Sequence, residues 1–130
     1  MFYLDCGLKP PSVNHSYGRR GTRTFITPLA RQFKKNLGLL AKSVWKKPPL
    51  TGRLSVDIII CYGDKRIHDL DNTYKITLDS LKGIVIADDS LFDRDQKRRL
   101  LGDEPRLIIR IEPLPDNFQE ELQKEVKKGE

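Results

Sequence analysis

The stretch from His68 to Lys75 contains the residues of this chain best suited to chemistry. Asp69 and Asp71 are separated by one residue, Lys75 follows four positions after Asp71, and a second acidic pair, Asp88-Asp89, lies further along. Carboxylate oxygens are the ligands that hard divalent cations such as Mg²⁺ prefer, whereas Zn²⁺ favours His and Cys. The spacing therefore predicts a site for a hard cation, and in a basic chain such a site indicates phosphodiester chemistry.

The same residues also have an ordinary structural explanation. Asp is common at helix starts, where its side chain accepts a backbone N–H, and Asp88-Asp89 suits a turn. Asp71 and Lys75 have the i, i+4 spacing of a helical ion pair, which contributes about 0.3–0.5 kcal/mol. An EF-hand is excluded, because Tyr74 stands where that loop requires Gly and no Glu closes the loop. Spacing alone leaves the cation site and the structural explanation open.

Charge is unevenly distributed along the 130 residues, whose formal net charge is +6. Residues 6–56 contain eleven Lys or Arg and no acid, whereas residues 57–103 contain ten Asp and no Glu. A basic front half beside an Asp-rich middle is typical of a protein that binds a polyanion close to a cation site. Lys34 and Lys35 are among the basic residues expected to contact phosphates.

Two helices and a central strand are predicted around the acidic residues. Thr27-Pro28 is a typical helix start, and this helix is expected to run to about Lys46. The β-branched run over residues 54–62 indicates a central strand buried on both faces. Asp69 or Asp71 then caps a second helix that ends near Lys82. The apolar stripes are expected to contain Phe33, Leu37, Leu40, Ala41 and Val44 in the first helix, and Leu70, Tyr74, Leu78 and Leu81 in the second.

Shorter strands complete the expected sheet. Residues 1–8 and 22–26 have the pattern of short strands, with a loop over residues 13–21 between them. Residues 92–101 and 106–111 are expected to pair as a hairpin. The elements together predict a single small α/β (α+β) domain with a mixed central sheet and two main helices.

The composition changes at Pro113. We therefore expect one domain over residues 1–112 and a C-terminal extension over residues 113–130. In this extension Asp116 would cap a short helix that has Phe118, Leu122 and Val126 on one face.

The cellular compartment is predicted from cysteine usage and hydropathy. Cys6 and Cys61 lie in apolar, strand-like contexts, which favours buried free thiols in a reducing cytosol. No run approaches the roughly 20 apolar residues of a membrane span, and the N-terminus lacks the features of a signal peptide. We expect a soluble, cytoplasmic protein that does not bind membranes.

In these motifs the chain resembles the RusA family of Holliday junction resolvases, which are crossover junction endodeoxyribonucleases. The similarity rests on Asp69-Leu70-Asp71-Asn72 with Lys75, Asp79, Leu81 and Asp88-Asp89, and on the segment from Pro10 to Tyr17. It implies a homodimeric α/β enzyme that binds branched DNA, especially four-way junctions, and resolves them by paired symmetric nicks in recombination and repair. It also implies Mg²⁺ or Mn²⁺ as cofactor, and small members of the family are often phage-borne.

The resemblance also implies roles for particular residues. Asp69, Asp71 and Asp89 would be the metal ligands, and Lys75 the catalytic lysine. Asp88 stays the alternative ligand, because the connection from Leu81 looks one residue shorter than in the family. The Arg run that often precedes the first Asp is thinner here. DNA contacts are expected from Asn14, Arg19, Arg20, Arg23, Lys65, Arg66, His68 and Asn72.

Two other functions are compatible with the sequence. One is a non-catalytic nucleic-acid-binding accessory protein, in which the Asp residues are caps and turns. The other is a less selective structure-specific nuclease that acts on flaps or RNA. Symmetric nicks in a synthetic four-way junction that disappear with EDTA would distinguish a resolvase from both.

Overall fold

A computed structural model describes residues 1–11, 17–20 and 23–129, and for residues 17–20 and 23–25 only the backbone is described. The chain forms a single small α+β domain with a mixed four-stranded sheet. The strands of this sheet are β1 (Phe2–Cys6), β4 (Leu54–Cys61), β5 (Phe92–Arg99) and β6 (Arg106–Pro113). A two-stranded antiparallel sheet consists of β2 (Tyr17–Arg20) and β3 (Arg23–Ile26). The helices are α1 (Pro28–Val44), α2 (Leu70–Leu81) and α3 (Phe118–Lys128), and Asp89–Leu91 forms a 3₁₀ turn.

Strand β4 lies at the centre of the main sheet, whose order is β1-β6-β4-β5. It pairs antiparallel with β6 and parallel with β5. Its side chains alternate between buried and half-buried, because the core cluster that includes residues of α1 and α2 contains only one face of the strand. The central position is confirmed, whereas burial on both faces is wrong. The partly open face contains Ser55, Asp57 and Ile59.

The predicted hairpin of β5 and β6 is wrong, because β4 lies between these two strands. The connection over residues 100–105 passes the end of β4, where the Leu100 N–H donates to the Ile60 carbonyl at 2.8 Å. Because β4 pairs with a strand on each side, the backbone N–H and C=O groups along both of its edges are hydrogen-bonded. Strand β5, by contrast, has the sequence Phe-Asp-Arg-Asp-Gln-Lys-Arg-Arg. Such a charged strand is typical of an exposed sheet edge.

Helix α1 begins as predicted and ends slightly earlier. The Thr27 side chain caps it by accepting a backbone N–H one turn along the helix. The helix ends at Val44, which is 52% exposed, so the expected burial of that residue is wrong. Trp45 has an extended backbone instead and packs its ring edge-to-face against Phe2, with centroids 6.0 Å apart. Three residues of the predicted stripe, Phe33, Leu37 and Ala41, are buried as expected, and Leu40 is half-buried.

Two smaller differences from the sequence predictions concern β2 and α3. Strand β2 falls in a predicted loop, because its partner β3 is needed to form it. Helix α3 follows Asn117 rather than Asp116, and its apolar residues are not buried. Cys6 and Cys61 are free thiols, as predicted, but only Cys61 is buried as expected and Cys6 is half-buried. Within the described ranges, no helix has the length and apolar character needed to cross a bilayer.

A substitution in β4 tests the one-sided packing of the sheet. Ile58 is fully buried and faces the helices, whereas its neighbour Ile59 is half-buried on the other face. Ile58→Ala should lower the free energy of unfolding by about 2–5 kcal/mol, because it leaves a cavity in the core. Ile59→Ala should lower it clearly less. Urea unfolding followed by Trp45 fluorescence measures both, and equal losses would contradict this packing.

Candidate functional site

A buried contact joins the end of β4 to helix α2. The Tyr62 hydroxyl is hydrogen-bonded to the Thr73 hydroxyl, with the oxygens 2.5 Å apart. The His68 ring stacks on the Tyr62 ring with centroids 4.0 Å apart. Gly63 has a φ of 75°, and a Cβ there would lie 2.6 Å from the Pro105 nitrogen, so only glycine suits this turn. The loop between β4 and α2 therefore has a defined path.

Asp64 is the anchor of this loop. Its carboxylate accepts hydrogen bonds from His68 Nε2 at 2.9 Å and from the Arg66 N–H at 3.1 Å, and it pairs with Lys9 Nζ at 3.1 Å. Mainly the His68 hydrogen bond, together with Lys9 and Arg66, lowers the pKa of the Asp64 carboxyl to about 2. The Arg99 guanidinium donates to the His68 carbonyl. Asp64 was missed in the sequence, although its i, i+4 spacing from His68 was a usable signal.

Asp69 is the N-cap of α2, which settles the choice between Asp69 and Asp71. Its Oδ1 accepts the Asp71 N–H at 2.9 Å, and its Oδ2 accepts the Asn72 side-chain amide at 3.2 Å. The carboxylate thereby lies at the partially positive end of the helix, which favours negative charge. Asn72, expected to contact DNA, orients Asp69 in this structure.

Asp71 forms an ion pair with Lys97 of β5, at 2.9 Å between Nζ and Oδ1. The Asp71 side chain is 77% exposed, whereas that of Lys97 is 30% exposed. The Lys97 ammonium also lies 4.7 Å from the centroid of the Tyr74 ring. Chiefly Asp71, and then the charges of Asp95 and Asp69, raise the pKa of Lys97. Lys97 and Asp95 were missed, because charged residues on an edge strand give no periodic signal.

The second acidic pair is divided between two positions. Asp88 pairs with Lys82 at 2.9 Å and accepts the Ser90 hydroxyl at 2.5 Å; Ser90 and Lys82 hold its carboxyl pKa far below the ordinary range. Lys82 follows the end of α2, and a helix of 12 residues is about 18 Å long, so Asp88 and Asp69 lie at opposite ends.

Asp89 is exposed at the start of the 3₁₀ turn. Burial, and then the carboxylates of Asp95 and Asp89, raise the pKa of the Tyr74 hydroxyl. The charge of Asp89 also contributes to the raised pKa of Lys82. The charge of Asp89 therefore acts on Tyr74, one turn into α2, and on Lys82, which follows the end of that helix.

The donor atoms suit a hard cation, because Asp69, Asp71, Asp89 and Asp95 offer only carboxylate oxygens. In the part of the chain that the structure describes, however, no three His, Cys, Asp or Glu side chains are grouped closely enough to hold an ion. Asp71 faces the ammonium of Lys97 instead. Lys75 is exposed on α2. The ligand roles of Asp69, Asp71 and Asp89, with Asp88 as alternative, and the catalytic role of Lys75 stay predictions.

The predicted DNA contacts have different environments. Lys65 and Arg66 are exposed on the loop before Asp69. His68 is buried, and its contact with DNA stays a prediction. Asn14 lies outside the described residues, and Arg19, Arg20 and Arg23 fall on β2 and β3, where the backbone alone is described.

A cleft of about 430 Å³ lies beside the loop and connects it to the N-terminal motif. Pro10, Pro11 and Leu29 line it together with Asp64, Arg66 and His68. The two sequence motifs, more than fifty residues apart in the chain, are therefore neighbours in the structure.

Comparison with known proteins identifies the family. The family described as Endodeoxyribonuclease RusA matches residues 8–112. A crossover junction endodeoxyribonuclease rusA of Enterobacteria phage HK97 is 33% identical over 85 residues, which cover 65% of this chain and 71% of the phage protein. This chain belongs to the RusA family, and the resemblance seen in its motifs is confirmed.

The anchor at Asp64 predicts a specific dependence of stability on pH. Because its folded pKa of about 2 lies below the ordinary value of 3.8, Asp64 stabilises the fold above about pH 4. This contribution should disappear as the pH falls from about 4 to about 2. Urea unfolding of the wild type and Asp64→Asn should thus differ at pH 5 and converge near pH 2. Asp116→Asn, exposed beyond β6, is the control, and its free energy of unfolding should match that of the wild type at both pH values.

Proposed function

We propose that this protein is a Mg²⁺- or Mn²⁺-dependent endodeoxyribonuclease that resolves four-way DNA junctions by paired symmetric nicks. The observation that carries the proposal is the match of residues 8–112 to a family described as endodeoxyribonucleases. The phage relative is named for crossover junctions, and we extend that substrate to this chain. Strand scission in recombination and repair is the corresponding role.

The residues of the site support this chemistry. Asp69, Asp71 and Asp89 would hold the divalent ion, and Lys97 would then give up its contact with Asp71. When bound, such an ion activates a water and stabilises charge on the phosphoryl and leaving oxygens. Lys75, one helical turn after Asp71, would neutralise charge on the phosphate.

Two further groups would assist by position. Lys65 and Arg66 are exposed beside the acidic residues, where they would bind backbone phosphates without regard to sequence. A closed two-fold dimer would present two such sites, which suits the two equivalent strands of a four-way junction.

Removal of one carboxylate tests the assignment. Asp71→Asn should lower the rate of junction nicking in Mg²⁺ by about a hundredfold or more, because a metal ligand is lost. Junction binding in a gel-shift titration should stay close to that of the wild type. Asp116→Asn, outside the matched residues, is the control and should cut normally.

Three outcomes would count against the proposal. An Asp71→Asn protein that nicks at the wild-type rate would contradict the role of this residue. A wild-type protein that shifts the junction without nicking it would indicate the accessory protein. Equal cutting of linear duplex, flaps or RNA would indicate the less selective nuclease.

Because Lys97 pairs with Asp71, we expect its ammonium to compete with a bound metal ion for that carboxylate. Lys97→Met removes the cation beside Asp71 and leaves the neighbouring carboxylates without their counter-charge. Calorimetric titration with Mn²⁺ alone should show binding about tenfold tighter than in the wild type. Lys97→Arg preserves the charge and is the matched control. An unchanged affinity in Lys97→Met would mean that the ion does not bind at Asp71.

A further inference from the structure

Ile67 is the most exposed large apolar residue in the described ranges, with 91% of its surface accessible. It lies two positions before Asp69 and directly after Lys65 and Arg66, which are also exposed. A single exposed aliphatic residue is common on protein surfaces. Its exposure here is significant because hydrogen bonds fix the backbone on both sides of it.

The loop around Ile67 is fixed on both sides. The Arg66 N–H before it donates to Asp64 at 3.1 Å. His68 after it is buried against Tyr62, and its carbonyl accepts a hydrogen bond from Arg99. Because both neighbours are bound, the backbone presents Ile67 to solvent in a defined position. Little further ordering would be needed when this side chain enters a binding partner.

The charges beside Ile67 indicate which partner it would enter. Lys65 and Arg66 suit phosphates, but an aliphatic side chain gains nothing from a phosphate. The apolar surface of DNA lies between its stacked bases, and proteins insert Ile, Leu, Phe or Met there as wedges. Insertion costs least where stacking and pairing are already weakened. A branch point is such a place, whereas an intact duplex is not.

We propose that Ile67 is a wedge that inserts between base pairs at the branch point of the bound junction, an inference that rests on the proposed function. Residues two positions apart are at most about 7 Å apart along the backbone. This separation corresponds to about two base-pair steps of 3.4 Å. Insertion of Ile67 thus sets the strand beside Asp69 within about two nucleotides of the branch, and selects branched over linear DNA.

Three variants separate the wedge from general effects. Ile67→Ser removes the apolar side chain, and Ile67→Leu preserves it. Val126→Ala removes another exposed aliphatic side chain, 59% accessible on α3, and is the control. Each protein is titrated in EDTA against a four-way junction and against a linear duplex of the same sequence. A 2-aminopurine at the branch point reports unstacking by its fluorescence.

The wild type, Ile67→Leu and Val126→Ala should raise the 2-aminopurine fluorescence on binding, whereas Ile67→Ser should not. Ile67→Ser should weaken junction binding by about tenfold, because the aliphatic burial is lost. Its affinity for the duplex should stay unchanged. Unchanged junction affinity and fluorescence in Ile67→Ser would overturn the proposal, and so would an equal loss on junction and duplex.

Nicking of the same junction by the wild type in Mg²⁺ separates the two proposals. Normal nicking without any effect of Ile67→Ser on binding or fluorescence would overturn the wedge and leave the proposed function intact. Unstacking that depends on Ile67, without nicking by the wild type, would support the wedge and overturn the catalytic function. A wild type that does not bind the junction would overturn both.

Discussion

The position of the acidic residues depends on the buried contact between Tyr62, His68 and Thr73. Tyr62 directly follows the central strand, Thr73 lies near the start of α2, and the His68 ring lies against the Tyr62 ring. A hydroxyl pair and a stacked ring that are shielded from water hold the strand and the helix in one relative orientation. Because Asp69 directly follows His68, this contact also sets the position of the carboxylate at the start of α2.

The aspartates near this contact need positive charge beside them. Carboxylates that lie close together repel one another, and they are stable together only beside positive charge. In this structure the N-terminal end of α2 and the ammonium of Lys97 provide it. Asp71 therefore already faces a cation, the ammonium of Lys97 at 2.9 Å, in this structure. Lys97 therefore shapes the electrostatic environment of these aspartates.

The loop before Asp69 adds a second kind of chemistry to the same place. Its backbone is fixed through Asp64 and His68, while Lys65, Arg66 and Ile67 face solvent. Cations and an apolar side chain on one rigid loop can address both the phosphate backbone and the base stack of a nucleic acid. In this loop Ile67 stands directly after Lys65 and Arg66, so an apolar side chain and two cations are exposed side by side.

Local rules made much of this fold readable from the sequence. Three of its features are short-range, so neighbouring residues specify them. They are the helix caps at Thr27 and an aspartate, the β-branched run of β4, and the spacing of Asp69, Asp71 and Lys75. Only the tertiary structure decided that β4 separates β5 from β6, that Asp71 pairs with Lys97, and that His68 is buried. It also placed Asp88 at the far end of α2. Those outcomes depend on partners far apart in sequence, and their energies come from burial and charge pairing that arise only when the chain is folded.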